Sequence, residues 1–172
     1  MDRRPPISYR IAAGLLKGAQ SRRLRPSDYD ELADLIEHWK PEKARRFRMG
    51  RPYANRYLSS LVAANDVGIV GWLEGAHRSP YAWQRFHDLP EDGGGTSCSF
   101  VDFLFVEAGN RRANIGSKLL TAFETEAVDF GNDFMGLSLD SADHLQAQAF
   151  YRAHGYTRSK SILYGHLMGK TL

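Results

Sequence analysis

A chain of 172 residues, 42% hydrophobic and 12% aromatic, can bury most of the surface that its unfolded form exposes, so it needs neither a disulfide nor a metal to fold. Its single cysteine, Cys98, excludes an internal disulfide framework and a multi-cysteine zinc site, suits a reducing cytosol, and reads as a small buried hydrophobe. The net charge of +3 is uneven: residues 1–60 hold 14 Lys and Arg against 7 Asp and Glu, leaving 9 against 13 for the rest.

The basic residues are scattered through amphipathic sequence without interleaved stacking aromatics, so the segment reads as a solvated face rather than a nucleic-acid surface. Residues 1–20 read as a leader, with Asp2, Arg3 and Arg4 ahead of an apolar run, Ile11 to Leu16, that is too short and glycine-broken for a secretory core. No stretch is long enough to span a bilayer, so the expected setting is soluble and cytoplasmic, with no membrane partner. Residues 21–172 read as a single domain.

In chain order, Arg23 to Pro26 is expected to form a short strand ended by the proline, with Ser27 or Asp28 capping a helix that carries Leu32, Leu35, Ile36 and Trp39. A second helical stretch is expected from Pro41 to Ala64, broken or bent at Gly50 and Pro52. Val67 to Glu74 is rich in Val, Ile and Trp between Asp66 and Gly75, and reads as a strand. His77 to Ser97 mixes aromatics with Pro90 and Gly93-Gly94-Gly95, which suggests a strand leading into a loop.

Ser99 to Val106 is apolar and aromatic apart from Asp102, as expected of a central strand buried on both faces. Asn114 to Phe130 places Ile115, Leu119, Leu120, Phe123 and Ala127 on one helical face, with Gly131 as the stop. Phe134 to Leu139 reads as a strand, Asp143 to His154 as a helix ended by Gly155, and Tyr156 to Met168 as a final strand or hairpin. The expected fold is α/β: a mixed, mostly antiparallel central sheet with helices on both faces.

Between the buried strand and the next helix lies Val106-Glu107-Ala108-Gly109-Asn110-Arg111-Arg112-Ala113-Asn114-Ile115-Gly116. A helix start offers unpaired amides and the positive end of a dipole, and small residues let phosphate oxygens approach them. Arg111 and Arg112 add guanidinium charge, and Asn114 is the residue that, after glycine, best tolerates left-handed backbone angles. The segment resembles the cofactor loop of the GNAT acetyltransferase superfamily, Gln/Arg-x-x-Gly-x-Gly/Ala. Arg111 fills the first position and Gly116 the last; Asn114 departs at the middle glycine, and Ala108 stands where many members carry proline.

About 35 residues on, Ala147-Gln148-Ala149-Phe150-Tyr151-Arg152-Ala153-His154-Gly155-Tyr156 resembles the C-terminal signature of the same family. Ala147, Phe150, Tyr151, Gly155 and Tyr156 match in register, and His144 stands at the usual Asn position. The two partial motifs come in the family's order. The likeness covers Ser99 to Leu172, and Arg23 to Glu74 more loosely.

The resemblance implies a GNAT-like acyl-CoA N-acyltransferase fold and an acetyl-CoA cosubstrate. Its pantetheine arm would lie against Leu104, Phe105 and Val106, and its pyrophosphate over Arg111, Arg112, Ala113, Asn114, Ile115, Gly116 and Ser117. His144 and Tyr151 would border the far end. The implied reaction is acetyl transfer to a primary amine of a small-molecule or peptide acceptor, by direct attack in a ternary complex.

An ammonium of ordinary pKa is neutral in about one molecule in 2,500 at pH 7, a gap of roughly 4.6 kcal/mol, so a carboxylate is wanted as base. Asp102, in the buried strand, is the first candidate and Glu74 the second. Tyr151 is implied as the acid for the departing thiolate, and a backbone amide near Phe105 or Val106 as the donor to the carbonyl oxygen. No metal is required. The acidic residues Asp88, Glu91 and Asp92 could attract a cationic acceptor. A homodimer is left open, as is a catalytically silent relative that binds a CoA ester or a protein partner.

Overall fold

The computed structural model describes residues 19–50, 58–77, 98–139, 144–158 and 166–172, with only the backbone of His144. The expectations for residues 1–18 and 78–97, including Asp88, Glu91 and Asp92, lie outside the described residues. Among the described residues, seven strands form one sheet in the order β1-β2-β3-β4-β5-β7-β6: β1 is Gln20–Arg23, β2 Leu58–Asn65, β3 Gly68–Ala76, β4 Cys98–Val106, β5 Phe134–Leu139, β6 Thr157–Arg158 and β7 His166–Thr171. The helices are α1, Tyr29–Ile36; α2, Pro41–Arg48; α3, Ile115–Asp129; and α4, His144–Ala153. β4 and β5 are parallel, while β1–β2, β5–β7 and β6–β7 are antiparallel, so the mixed and mostly antiparallel α/β sheet is as the sequence implies.

The chain divides into two compact units. The first comprises Met1–Asn55, Ser60–Leu73 and Leu104–Leu120; the second Arg56–Ser59, Glu74–Phe103 and Thr121–Leu172.

In the first unit β3 separates two layers of helix. Trp72 faces α2, edge-on to Phe47 at 5.9 Å with the Lys43 ammonium 5.5 Å from its ring. Its neighbour Gly71 faces the other way, where a Cβ would lie 2.9 Å from Ile115 Cγ2 and 3.2 Å from Leu119 Cδ1 of α3. Successive strand residues point to opposite faces, so helices cover both. A glycine inside a strand often marks such a close approach. Leu32, Ile36, Phe47, Leu119 and Leu120 complete this core at 2% exposure or less.

In the second unit β5 lies between β4 and β7, and Cys98, Phe100, Phe134 and Leu167 form a buried cluster. A Cβ at Gly75 would fall on the Phe100 carbonyl oxygen and 2.6 Å from the Phe123 ring, so that glycine too is required by close packing. The His77 ring lies between Phe123 and Phe130, 4.5 Å from each. Its Nδ1 is 2.7 Å from Ser99 Oγ, which also accepts from Asn132 Nδ2 at 2.7 Å. Burial pushes the Cys98 thiol up to about 12, so it is the inert apolar residue the composition suggested.

Four expectations are corrected. The first strand runs Gln20–Arg23 and ends before the proline, because Pro26–Asp28 forms a 3-10 turn. Asp28 stands at the start of α1 but does not cap it. Its carboxylate accepts two bonds from the Arg22 guanidinium, at 2.6 and 2.9 Å, and one from the Arg25 amide at 2.8 Å. The second helix ends at Arg48, and Leu58–Asn65 is a strand. The sequence signal for that strand is the turn after it: Asn65 Oδ1 accepts the amides of Val67 and Gly68, at 2.9 and 3.2 Å, and so folds β2 back into β3.

β4 is the fourth correction. Cys98, Ser99, Phe100 and Val101 are buried, but Asp102 is exposed and Phe103 to Val106 are half-buried. The sequence expectation of a strand covered on both faces therefore holds for its first half only.

Candidate functional site

The register between β4 and β5 runs Cys98↔Phe134 to Val101↔Leu137 and stops there, while β4 continues to Val106. β5 meanwhile stays paired with β7 through Leu139↔His166. The last residues of β4, Leu104, Phe105 and Val106, are half-buried. They belong to the first unit, where Phe105 stacks on Trp39 at 5.2 Å and 24° and meets the His38 ring edge-on at 5.8 Å.

From Val106 the chain enters a tightly held turn. Glu107 N–H donates to the Val70 carbonyl at 2.9 Å, and Ala108–Asn110 makes a 3-10 turn. Asn110, 3% exposed, donates from Nδ2 to Glu107 Oε2 at 2.8 Å. This buried amide, three residues after the glutamate it satisfies, sets the start of the loop.

Beyond it, Arg111, Arg112, Ala113 and Asn114 are exposed, and the backbone does something uncommon: Arg112 at φ 67° and Asn114 at φ 61° both occupy the left-handed region. For a residue with a Cβ that conformation costs about 1–2 kcal/mol. Asn114 tolerates it, as its place in the loop suggests, whereas nothing in the sequence foretold it for Arg112. Arg111 Nε donates back to the Val106 carbonyl at 3.3 Å.

Helix α3 then begins, and Lys118 N–H donates to the Asn114 carbonyl at 3.1 Å. By helix geometry the amides of Ile115, Gly116 and Ser117 precede that ladder. Ile115 is 4% exposed and anchors the start against β3, where Gly71 leaves it room, while Gly116 and Ser117 are half-exposed. The loop thus presents helix-start amides and two exposed guanidinium groups on a frame fixed from below, which is suited to an anionic group.

The remaining candidates belong to the second unit. Tyr151, on α4, is 6% exposed and packs edge-on against Phe150 at 5.1 Å and Tyr156 at 5.5 Å. Burial pushes its phenol pKa upward. The two carboxylates differ: Glu74 in β3 is 2% exposed, whereas Asp102 in β4 is exposed. His144 is the first residue of α4. Leu104 to Val106 and Arg111 to Ser117 thus share the first unit, and Glu74, Asp102, His144 and Tyr151 the second.

Sequence reading missed Gly71, Asn110, the Arg112 backbone and the surroundings of Tyr156. Gly71 carried a readable signal, a lone glycine inside a strand pattern. The surroundings of Tyr156 depend on a contact between distant parts of the chain, its hydroxyl reaching Glu124.

The chain matches the acetyltransferase (GNAT) family over residues 23–156 and belongs to it. Sequence comparison with curated proteins gives no match.

Solved structures share the fold. A GNAT-family acetyltransferase from Staphylococcus aureus is 19% identical with a TM-score of 0.65, covering 90% of this chain and 99% of its own. The PaiA N-acetyltransferase from Thermoplasma acidophilum, in complex with coenzyme A, is 15% identical with a TM-score of 0.66, covering 91% and 100%. An aminoglycoside antibiotic 6'-N-acetyltransferase from Acinetobacter baumannii is 18% identical with a TM-score of 0.67, covering 86% and 96%.

Proposed function

We propose that this chain moves the acetyl group of acetyl-CoA to a primary amine by direct attack in a ternary complex. The observation that carries the reading is the loop Arg111–Ser117, in which two left-handed residues turn the backbone into the start of α3 beside exposed guanidinium groups. Backbone held in a sparsely populated region, on a frame fixed by a buried Asn110, is typical of a ligand clamp. Family membership and the coenzyme A in the Thermoplasma structure support the choice of ligand. The aminoglycoside enzyme from Acinetobacter supports an amine acceptor, small molecule or peptide.

In this reading the loop residues Arg111, Arg112, Ala113, Asn114, Ile115, Gly116 and Ser117 hold the pyrophosphate, and Leu104, Phe105 and Val106 line the pantetheine arm. His144 and Tyr151 border the cofactor's far end. The amine attacks the thioester carbonyl, a backbone amide near Phe105 or Val106 steadies the oxyanion, and the thiolate of CoA departs. Asp102 takes the ammonium proton to solvent, its exposed position suiting that task better than the buried one of Glu74, the second candidate.

Tyr151 meets the departing sulfur as a neutral phenol. Its raised pKa keeps the proton on oxygen, so it acts chiefly as a hydrogen-bond donor to developing charge. The same burial favours the rival reading of a silent CoA-binding relative, in which Tyr151 is a core aromatic.

Calorimetric titration of the full chain with acetyl-CoA and CoA, followed by thiol release in the presence of an amine panel that includes aminoglycosides, separates these. Saturable binding with amine-dependent release of CoA is expected. Binding without release favours the silent reading, and no saturable uptake at millimolar ligand ends both.

A further inference from the structure

Helix α4 ends in a motif that fixes Tyr151 at two points. Gly155 adopts φ 88°, and the Tyr156 amide donates to the Tyr151 carbonyl at 3.1 Å, while Gly155 N–H reaches Arg152 O at 3.0 Å. This is the paired C-terminal bonding of a Schellman motif. The Tyr156 side chain then turns back, edge-on to the Tyr151 ring at 5.5 Å and 66°. One residue therefore holds both the backbone and the ring of Tyr151.

Tyr156 is itself tied down at its far end. It is 1% exposed, and its hydroxyl donates to Glu124 Oε1 of α3 at 2.9 Å. The same oxygen accepts from Lys170 Nζ of β7 at 3.0 Å. The Lys170 stem passes along Gly155, whose hypothetical Cβ would lie 3.7 Å from Lys170 Cε, and the ammonium sits 5.7 Å from the Tyr156 ring centre.

A buried phenol on a carboxylate that is already paired with an ammonium is more than the core requires. A phenylalanine would fill the same volume without a partner to satisfy. Tyr151, by contrast, has no hydrogen bond from its hydroxyl to any of the described residues. The polar anchoring is spent one ring away from it.

We propose that Tyr156, Glu124 and Lys170 are positioning residues for Tyr151, holding its ring so that its hydroxyl stays directed at the reacting group; this rests on Tyr151 being the hydrogen-bond donor to the departing sulfur in the proposed reaction. Tyr156 touches neither cofactor nor acceptor in this scheme and acts only through Tyr151. Misplacing a catalytic group by about 1 Å costs on the order of 100-fold, and a loosened ring falls short of that.

The test is a double-mutant cycle in the full chain with acetyl-CoA and the best amine of the panel. Tyr156→Phe and Glu124→Gln should each lower kcat about tenfold with the KM for acetyl-CoA within about twofold. In a Tyr151→Phe background neither change should lower kcat by more than about twofold. A second readout uses ring-carbon NMR of labelled tyrosine, with the Tyr151 signal assigned by its loss in Tyr151→Phe: both variants should shift or broaden it. Loss of melting temperature with kcat and the ring signal unmoved overturns the proposal, as does an equal loss of kcat with and without Tyr151. If Tyr151→Phe itself leaves kcat intact, the reading of Tyr151 as hydrogen-bond donor to the departing sulfur fails instead. Should no amine turn over, the ring signal alone decides, and an unmoved signal sinks the positioning role.

Discussion

In the proposed function, the loop Arg111–Ser117 and the surroundings of Tyr151 are opposite ways to build a site. The loop is exposed and defined by its backbone, with Arg112 and Asn114 in left-handed conformation above a buried Asn110. Tyr151 is buried and defined by neighbouring side chains, its ring set against Tyr156 and Phe150. A backbone site tolerates exchange of side chains as long as φ and ψ are kept. A side-chain site fails on the loss of one atom.

The largest expected effect follows from that last point. Tyr151→Phe keeps the ring and removes only the hydroxyl, and should lower kcat on the order of 100-fold, with affinity for acetyl-CoA changed by about twofold or less. Steady-state kinetics with the best panel amine, beside calorimetry, measures both. A loss of affinity with kcat intact would reverse the assignment. Arg112→Glu should do the converse: weaken binding about 10- to 100-fold, since a charge-assisted hydrogen bond worth about 1.5–3 kcal/mol is replaced by repulsion. Unchanged affinity would remove Arg112 from the pyrophosphate.

A third prediction sets a purely structural carboxylate beside these. The Arg22 guanidinium holds the Asp28 carboxyl below the usual carboxylate range, with the Arg25 amide adding to the effect and burial opposing it. A group whose pKa falls on folding contributes stability above its unfolded value, near 3.9, and loses that contribution as pH drops through the folded value. Asp28→Asn should therefore cost about 1.5–3 kcal/mol at pH 7, and the gap between variant and wild type should narrow below about pH 4. Denaturant melts at the two pH values check it. A gap that stays constant with pH would mean that the carboxylate charge contributes nothing.

Much of the fold is legible in the sequence because period and punctuation are local. β5 falls at Phe134–Leu139 as its apolar run suggests, and α3 follows its apolar stripe from Ile115. Leu58–Asn65 has no alternation in the sequence; what makes it a strand is its turn into β3 and its pairing with β1. Of the proposed site residues, Arg111, Asn114, Gly116 and Tyr151 are visible because motif spacing is preserved. The Glu124–Lys170 pair is invisible, because it joins residues brought near only by folding.

The smallest expected effect tests the loop most directly. Asn114→Gly substitutes the residue usual for the motif. Glycine adopts φ near 61° without strain, which favours the folded chain, but it also frees the unfolded chain, which opposes it. The two terms nearly cancel, so stability should change by no more than about 0.5 kcal/mol and acetyl-CoA affinity by about twofold or less. Asn114→Val keeps neither property: a β-branched residue at positive φ is a steric outlier, and the turn would abandon its conformation, weakening binding at least about tenfold. Melting curves and calorimetry on the pair decide whether the amides or the asparagine side chain matter. If glycine weakens binding as much as valine does, the side chain itself touches the ligand, and the division between a backbone-built and a side-chain-built region does not hold at that position.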